Sequence, residues 1–497
     1  MQDCILINHA DNVAVALKNL ASGSEISVGN HKVTLKEEIP AGHKIALQDF
    51  KTGDNIVKYG NPIGHAIKDI PIGSHVHTHN IKTNLSGLSS YSFEQNLAAI
   101  SFGKNHAERK ILAYPRKNGE VGIRNELWIV PLVGCVNGVA NAAVKAFEKN
   151  YDTGHIDYIN VLAHPYGCSQ LGIDHENTKA ILQNLVKHPN AGGVLVFGLG
   201  CENNLMADFK ATLGDYDESR TRFLVAQEVD DEQAEIVKLL TQLADGMKGD
   251  KRQEFPISKL KIGLKCGGSD GFSGITANPL VGLFSDYLVN LGGTSILAEV
   301  PEMFGAEKLL MARSIDKEVF AKNVAMINDF KQYFIDNKQE IYENPSPGNK
   351  EGGITTLEDK SLGCTQKAGV ATVVDVLKYT ERVKKNGLNL FNTPGNDLVA
   401  SSGMAAAGAH LVLFTTGRGN PYGTVVPTVK IATNSTIAGR KPHWFDFNAG
   451  VILESGEVES ALESFIDVVT AIASGQKAKN ELAGMQELAI FKSGVTL

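Results

Sequence analysis

The chain of 497 residues carries a net charge of −7 and is 43% hydrophobic and 21% charged. That length implies two or three domains, and an acid excess without a lysine or arginine stripe excludes a nucleic-acid partner. No apolar run reaches the roughly 18 residues of a membrane helix, and six cysteines without a signal-like segment after Met1 imply a cytoplasmic protein with free thiols or metal ligands.

Residues 1–90 read as a small β-rich module. A short helix is expected over Asn12 to Leu20, then strands at Ser27–Val28, Lys32–Leu35, Lys44–Ala46, Asn55–Tyr59 and Ser74–His79, with glycine turns between them. Residues 91–109 are polar and read as a linker. Over 110–255 the pattern becomes α/β. Apolar strands Leu127–Val133, Asp157–Ala163 and Gly193–Leu199 alternate with helices Ala140–Glu148 and Thr178–Val186. A second α/β domain, 256–497, opens with a strand at Leu260–Leu264, a glycine turn at Cys266–Gly271, a helix over Leu280–Leu291 and a strand over Ser295–Val300. Acids Glu299, Glu302 and Glu307 follow. The predicted fold class is therefore α/β, a β-rich module followed by two Rossmann-like domains, with sites at the carboxyl edges of the sheets.

Three constellations could carry chemistry. In His75–Val–His77–Thr–His79–Asn80 a strand would place all three imidazoles on one face. Adjacent pairs, about 6.6 Å apart by strand rise, could chelate one ion, and His77 belongs to either pair. Cys135, Cys168, Cys201 and Cys266 each follow an apolar strand in a glycine-containing loop, and Cys364 lies in a similar loop without the strand. Convergent thiolates there would bind iron or an iron–sulfur cluster, whereas each alone is also an ordinary buried thiol. Cys4 lies outside this pattern. Arg124, Lys360, Lys367 and Arg418 stand near glycine loops, where they could clamp a carboxylate or form plain ion pairs. Ser269 and Asp270 line the glycine turn as further substrate contacts. Gly198–Leu–Gly200–Cys–Glu–Asn203 misses the dinucleotide fingerprint at its third glycine.

The segments KNGEVGIRNELWIVP, HPYGCSQLG, GLGCENN, CGGSDGFSGITANP, EVPEMFGAE, ENPSPGNKEGGITTLEDKSLGCTQKAG and GRGNPYGTVVPTVKIATN resemble the altronate and galactarate dehydratase family. The amino-terminal module with HVHTHN resembles a SAF domain, and the terminal FKSGVTL also matches. The resemblance spans essentially the whole chain. It implies a sugar-acid dehydratase of hexuronate catabolism that needs Fe2+, with Mn2+ as a substitute or helper. The implied reaction converts D-altronate to 2-dehydro-3-deoxy-D-gluconate and water. The partner is then a small sugar acid, and homo-oligomerisation is left open. A metal suits this chemistry, because it stabilises the enolate formed when the C2 proton leaves. The base is expected among His77, His79, His164, Glu202 and Glu302. Metal ligands are expected among His77, His79, Cys135, Cys168, Cys201, Cys266 and Cys364. Alternatives on the same residues are a galactarate dehydratase, a sulfolactate lyase, a sugar-acid-binding protein and an iron–sulfur redox or sensor protein.

Overall fold

The computed structural model describes residues 2–100 and 107–497, so part of the predicted linker lies outside the described residues. The first module is built from short antiparallel strands in three small sheets. Val13–Ala16, expected to be helical, is a strand. All four of its residues are buried, and it pairs with Cys4–Ile5 on one side and Lys44–Ala46 on the other. A β-branched, alanine-rich run reads as either element, and here tertiary pairing decides. The histidine segment differs as well. Only His75–Val76 is strand, and the chain then turns, with Asn80 Oδ1 accepting from His77 N and Asn80 Nδ2 donating to the His75 carbonyl.

The middle domain holds β1 (Glu126–Pro131), β2 (Ile159–Val161), β3 (Ala191–Gly198) and β4 (Thr221–Val225). They form a parallel sheet in the order β2-β1-β3-β4. Alternate residues serve different cores. Leu127 and Ile129 pack with helices α1 (Asn137–Asn150) and α3 (Glu232–Met247). Trp128 and Val130 pack with α2 (Gly172–Val186) and with Met404, Ala405 and Val412 of the last domain. The two α/β domains therefore share one core.

The last domain contains seven parallel strands: β5 (Lys261–Cys266), β6 (Thr294–Leu297), β7 (Val373–Leu377), β8 (Gly387–Phe391), β9 (Leu411–Thr416), β10 (Thr428–Ala432) and β11 (Phe447–Asn448). Their order is β7-β8-β6-β5-β9-β10-β11, which puts β5 at the centre. Helix α4 (Ala277–Asn290) covers one face. The predicted loop Asn344–Gly353 contains a helical turn, α5 (Pro347–Glu351), and α6 (Leu357–Cys364) follows it.

Two buried lysines dock the first module here. Lys44 and Lys58 reach the two oxygens of Asp359 on α6 at 2.8 and 3.0 Å, all three side chains at most 2% exposed. Beside them the backbones nearly touch, because Gly271 N donates to Gly352 O at 2.7 Å. A Cβ on Gly271 would lie 2.0 Å from the Gly42 carbonyl oxygen, so only glycine fits.

Candidate active site

The central strand β5 carries Lys265 and ends at Cys266. Parallel strands aligned this way bring their carboxyl ends to one edge, where the following loops meet. Just past β6 stands Glu299, a non-glycine residue held at φ 72°. Thr393, beyond β8, holds it by accepting from Glu299 N and Val300 N. Strain of this kind persists only where the surroundings over-determine the backbone.

Three ammonium groups and three carboxylates interlock at this edge. Lys265 binds Glu299 and, at 2.8 Å, Asp397. Lys360 meets Glu302 at 2.8 Å. The Lys367 Nζ lies 2.8 Å from Cys266 Sγ, which in turn is 3.0 Å from Glu302 Oε2 and 3.3 Å from Cys364 Sγ. Burial favours neutral carboxyls, yet the Lys360, Lys367 and Lys265 charges outweigh it at Glu302 and hold that group well below the usual range. Burial and the Glu302 charge push Glu299 the other way, upward, against Lys265 and Lys367. The Cys364 thiol, hydrogen-bonded to Cys266 and buried, is held neutral far above its ordinary range. Two carboxyls in the field of the same two lysines, Lys265 and Lys367, and driven apart in acidity are suited to giving and taking protons. Beside them a void of about 10 Å³, lined by Tyr59, Ser269, Asp270, Lys360 and Cys364 among others, holds about one water.

An imidazole cluster lies against the carboxyl end of α5, at the Lys350 and Glu351 carbonyls. His43 Nδ1 faces His75 Nε2 at 2.9 Å, and the His43, His75 and His77 rings stand 5.0–5.3 Å apart. His79 is exposed, with its ring 5.5 Å from that of His75. Burial and then neighbouring charge lower His75 to about 3 and His77 to about 4, so both rings are neutral. His43 and His77 donate Nε2–H to the carbonyls of Glu351 and Lys350, which leaves His43 Nδ1 to accept from His75 Nε2–H and His77 Nδ1 to accept from Thr78 Oγ1.

Two donor sets can be weighed for iron. Cys266, Glu302 and Cys364 offer ligand atoms within 4.8 Å of one another. Lys360 and Lys367 already neutralise them, however, and a dication there would add uncompensated buried charge. The imidazoles fit better. They are neutral, His43 Nδ1 and His75 Nε2 stand 2.9 Å apart, and carbonyls orient His43 and His77 through the second ring nitrogen, as metal-bound histidines are.

Several expected site residues are engaged elsewhere. Arg124 is buried and bidentate to Glu481 at 2.7 and 2.8 Å, with its remaining protons on three carbonyls, so it ties the domains together and cannot clamp a substrate. Glu202 accepts from Leu199 N and Gly200 N and folds its own loop. His164 has both ring nitrogens bonded to backbone. Asp270 accepts from Ser273, Thr433, Asn434 and Phe272, a buried latch. Glu307 binds Tyr91 and Lys331. Ser269 passes its carbonyl to Asn349, which also meets Lys360. Arg418 is half-exposed at the rim, 2.9 Å from Glu351. Cys135, Cys168 and Cys201 are exposed on the middle domain, away from the buried Cys266 and Cys364. A cleft of about 710 Å³ holds none of the expected residues. The guanidiniums lining it, Arg116, Arg220 and Arg382, are all hydrogen-bonded to protein groups.

Sequence reasoning missed His43, Lys265 and the Lys44–Lys58–Asp359 triad. Lys265 had a signal. Central parallel strands read as continuous apolar runs, so a lysine within Lys261–Cys266 announces a buried ion pair. His43 stands alone in the sequence and has none.

A parallel sheet whose carboxyl edge gathers lysines, carboxyls of opposed acidity and a thiol defines an enzyme that moves protons on a small anion. The comparisons name the family. Residues 2–84 match the altronate/galactarate dehydratase SAF domain, 113–248 the D-galactarate dehydratase/altronate hydrolase second domain, and 257–496 the D-galactarate/altronate dehydratase C-terminal domain. The chain belongs to the altronate/galactarate dehydratase family and is a sugar-acid hydro-lyase. It is 56% identical over 494 residues to the altronate dehydratase of Escherichia coli (strain K12), covering 99% of each chain. It is 56% identical to that of Bacillus subtilis (strain 168), covering 100% of each. To the galactarate dehydratase (L-threo-forming) of Escherichia coli (strain K12) it is 33% identical, covering 95% of this chain and 93% of the other. Among the described residues no helix is long and apolar enough to cross a membrane.

Proposed function

We propose that the chain dehydrates D-altronate to 2-dehydro-3-deoxy-D-gluconate in the cytoplasm, a step of hexuronate catabolism, with Fe2+ as cofactor and Mn2+ as its substitute. The observation that carries the substrate is the 56% identity, end to end, with two altronate dehydratases, against 33% with a galactarate dehydratase. His43 and His75, with His77 beside them, would hold the iron, which when bound supplies a Lewis acid for substrate oxygen.

The proton work falls to the lysine–carboxyl centre. The sugar acid's carboxylate competes for Lys360 and Lys367. As Lys360 turns to the substrate, Glu302 loses its nearest cation and its pKa climbs towards the range where a carboxylate accepts the C2 proton. Lys367 and Lys265 stabilise the negative charge that develops on the enolate. Glu299, already pushed upward, supplies the proton that leaves with the C3 hydroxyl as water. Arg418, at the rim, meets the incoming anion first.

D-Altronate is expected to show kcat/KM at least ~10²-fold above galactarate, because a second carboxylate at C6 needs a cation that a neutral hydroxyl does not. Following formation of the 2-keto-3-deoxy product from both acids decides it, and a preference for galactarate overturns the substrate assignment. His75→Ala is expected to weaken Fe2+ binding by ~10-fold or more, measured by titration under argon, while Cys266→Ser leaves it unchanged. The reverse ordering would move the iron to the thiols.

A further inference from the structure

We propose that Cys135, Cys168 and Cys201 together hold an iron–sulfur cluster, separate from both the imidazoles and the lysine–carboxyl centre. The three cysteines lie in the loops that leave the carboxyl ends of β1, β2 and β3, and these strands are immediate neighbours in the sheet. Strands lie about 4.8 Å apart, so the three chain exits begin within roughly 10 Å of one another.

The loops are then stitched together beside each cysteine. Gly134 N donates to the Tyr166 carbonyl at 2.8 Å, and Asn204 N donates to the Gly167 carbonyl at 3.1 Å. Ser169 N donates to Asn203 Oδ1 at 2.7 Å. Gly167 passes so close to the Cys135 loop that a Cβ would lie 2.0 Å from the Leu132 carbonyl oxygen. Ser169, next to Cys168, is held at φ 57°, a left-handed conformation that non-glycine residues rarely adopt. The chain terminus folds onto the same loop, with Leu497 N donating to the Ser169 carbonyl and Ser493 N and Gly494 N to Asp174.

The chemistry of the donors is distinctive. All three thiols are free and exposed, whereas Cys4, Cys266 and Cys364 are buried. Cys201 Sγ meets Gln227 Nε2 at 3.5 Å and Cys168 Sγ meets Ser169 Oγ at 3.7 Å. Neither is a charged partner such as Lys367 provides for Cys266. Close by, Asn137 Oδ1, Gln170 Nε2 and Asn204 Oδ1 are buried without a partner among the described residues. One such amide stands two or three residues after each cysteine. Buried amides are normally satisfied; of the three, Gln170 Nε2 can donate to a cluster sulfur and so tune such a centre, while the two oxygens can only accept.

Spacing separates a cluster from a single ion. A tetrahedral ion with bonds of about 2.3 Å needs its thiolates within about 4 Å of each other. Among the described residues the loop thiols do not form a group of three donors within 4.8 Å of one another, so the three together do not close on one ion of that kind. On binding a preformed [4Fe–4S] cluster, each thiol releases its proton to solvent and its sulfur displaces an exchangeable ligand from one iron. Three irons are held this way, no electron is transferred, and the fourth iron keeps an open position for a non-protein oxygen ligand.

The test is anaerobic reconstitution of the full-length protein with ferrous iron and sulfide. Expected are a broad visible charge-transfer band and acid-labile sulfide carried through desalting. Cys135→Ser, Cys168→Ser and Cys201→Ser are each expected to lose both, with circular dichroism unchanged, while Cys266→Ser retains them. Should a variant fail to fold, alkylation of the parent answers the same question. Cluster loading should protect Cys135, Cys168 and Cys201 from iodoacetamide in peptide mass mapping. No acid-labile sulfide carried through desalting by the parent, sulfide retained in all three variants, or equal alkylation with and without reconstitution overturns the assignment.

Discussion

Lys367→Met is expected to lower kcat/KM by about 10²–10³-fold, the scale on which removal of one preorganised charge from an active site acts. Methionine keeps much of the length of the lysine stem and removes only the ammonium that touches Cys266 Sγ at 2.8 Å. Two consequences separate a catalytic role from a packing role. Because Lys367 is among the cations holding Glu302 down and opposing the rise of Glu299, its loss lets both carboxyls climb. The acidic limb of the pH–rate profile should then move to higher pH. Binding of Fe2+ should stay as in the parent, since the imidazoles are held by the Glu351 and Lys350 carbonyls and Lys367 by Cys266. Steady-state rates across pH, beside an iron titration, decide it. Turnover within a few-fold of the parent, or an unmoved acidic limb, would place the reaction elsewhere.

The parallel sheets were legible because their strands are short apolar runs ended by glycine, and a one-dimensional pattern suffices for that. The turn at His77–Asn80 was not. Alternating histidines fit a strand template, but Asn80 folds back on both His75 and His77, and asparagine's capacity to bond nearby backbone is a local signal that the alternation hid. The site was half legible. Glu302, Lys360, Cys266 and Cys364 stand in the glycine-rich stretches that drew attention, and the structure brings all four together. Arg124 shows the limit. Its setting, a glycine loop before a strand, suits a substrate clamp, and only the fold reveals Glu481, 357 residues away, bound to it on both oxygens. Pairings at such separation, like His43 with His75 or Lys265 with Asp397, leave no periodic trace.

The largest stability loss is expected from Asp359→Ala. Lys44 and Lys58 share this single carboxylate, so the docking site already carries one buried positive charge in excess. Burial lowers Lys44 to about 8 even though Asp359 opposes it, with Lys58 adding to the fall. Lys58 moves upward, because Asp359 and Tyr59 together outweigh its burial. Lys44 is thus the ammonium held less firmly. Removing Asp359 leaves two buried cations with no counter-charge, a change that costs about 3–5 kcal/mol, and it also strips Thr355 N and Oγ1 of their acceptor. Removing Lys44 instead leaves Lys58 and Asp359 matched one to one, so Lys44→Met should cost only about 1 kcal/mol, for the Gly353 carbonyl left without its donor. The pH dependence has a definite sign. Against burial, Lys44 and Lys58 hold Asp359 well below its ordinary range, so its contribution is complete above the unfolded carboxylate range near pH 4 and is lost as pH falls towards the folded value. That acid-sensitive component should be missing from Asp359→Ala. Hydrogen exchange of residues 2–84 and of α6, with thermal unfolding at neutral and acid pH, reads the undocking directly. Equal losses in the two variants, or a loss below about 1 kcal/mol for Asp359→Ala, would show that apolar contacts rather than the shared carboxylate seat the first module.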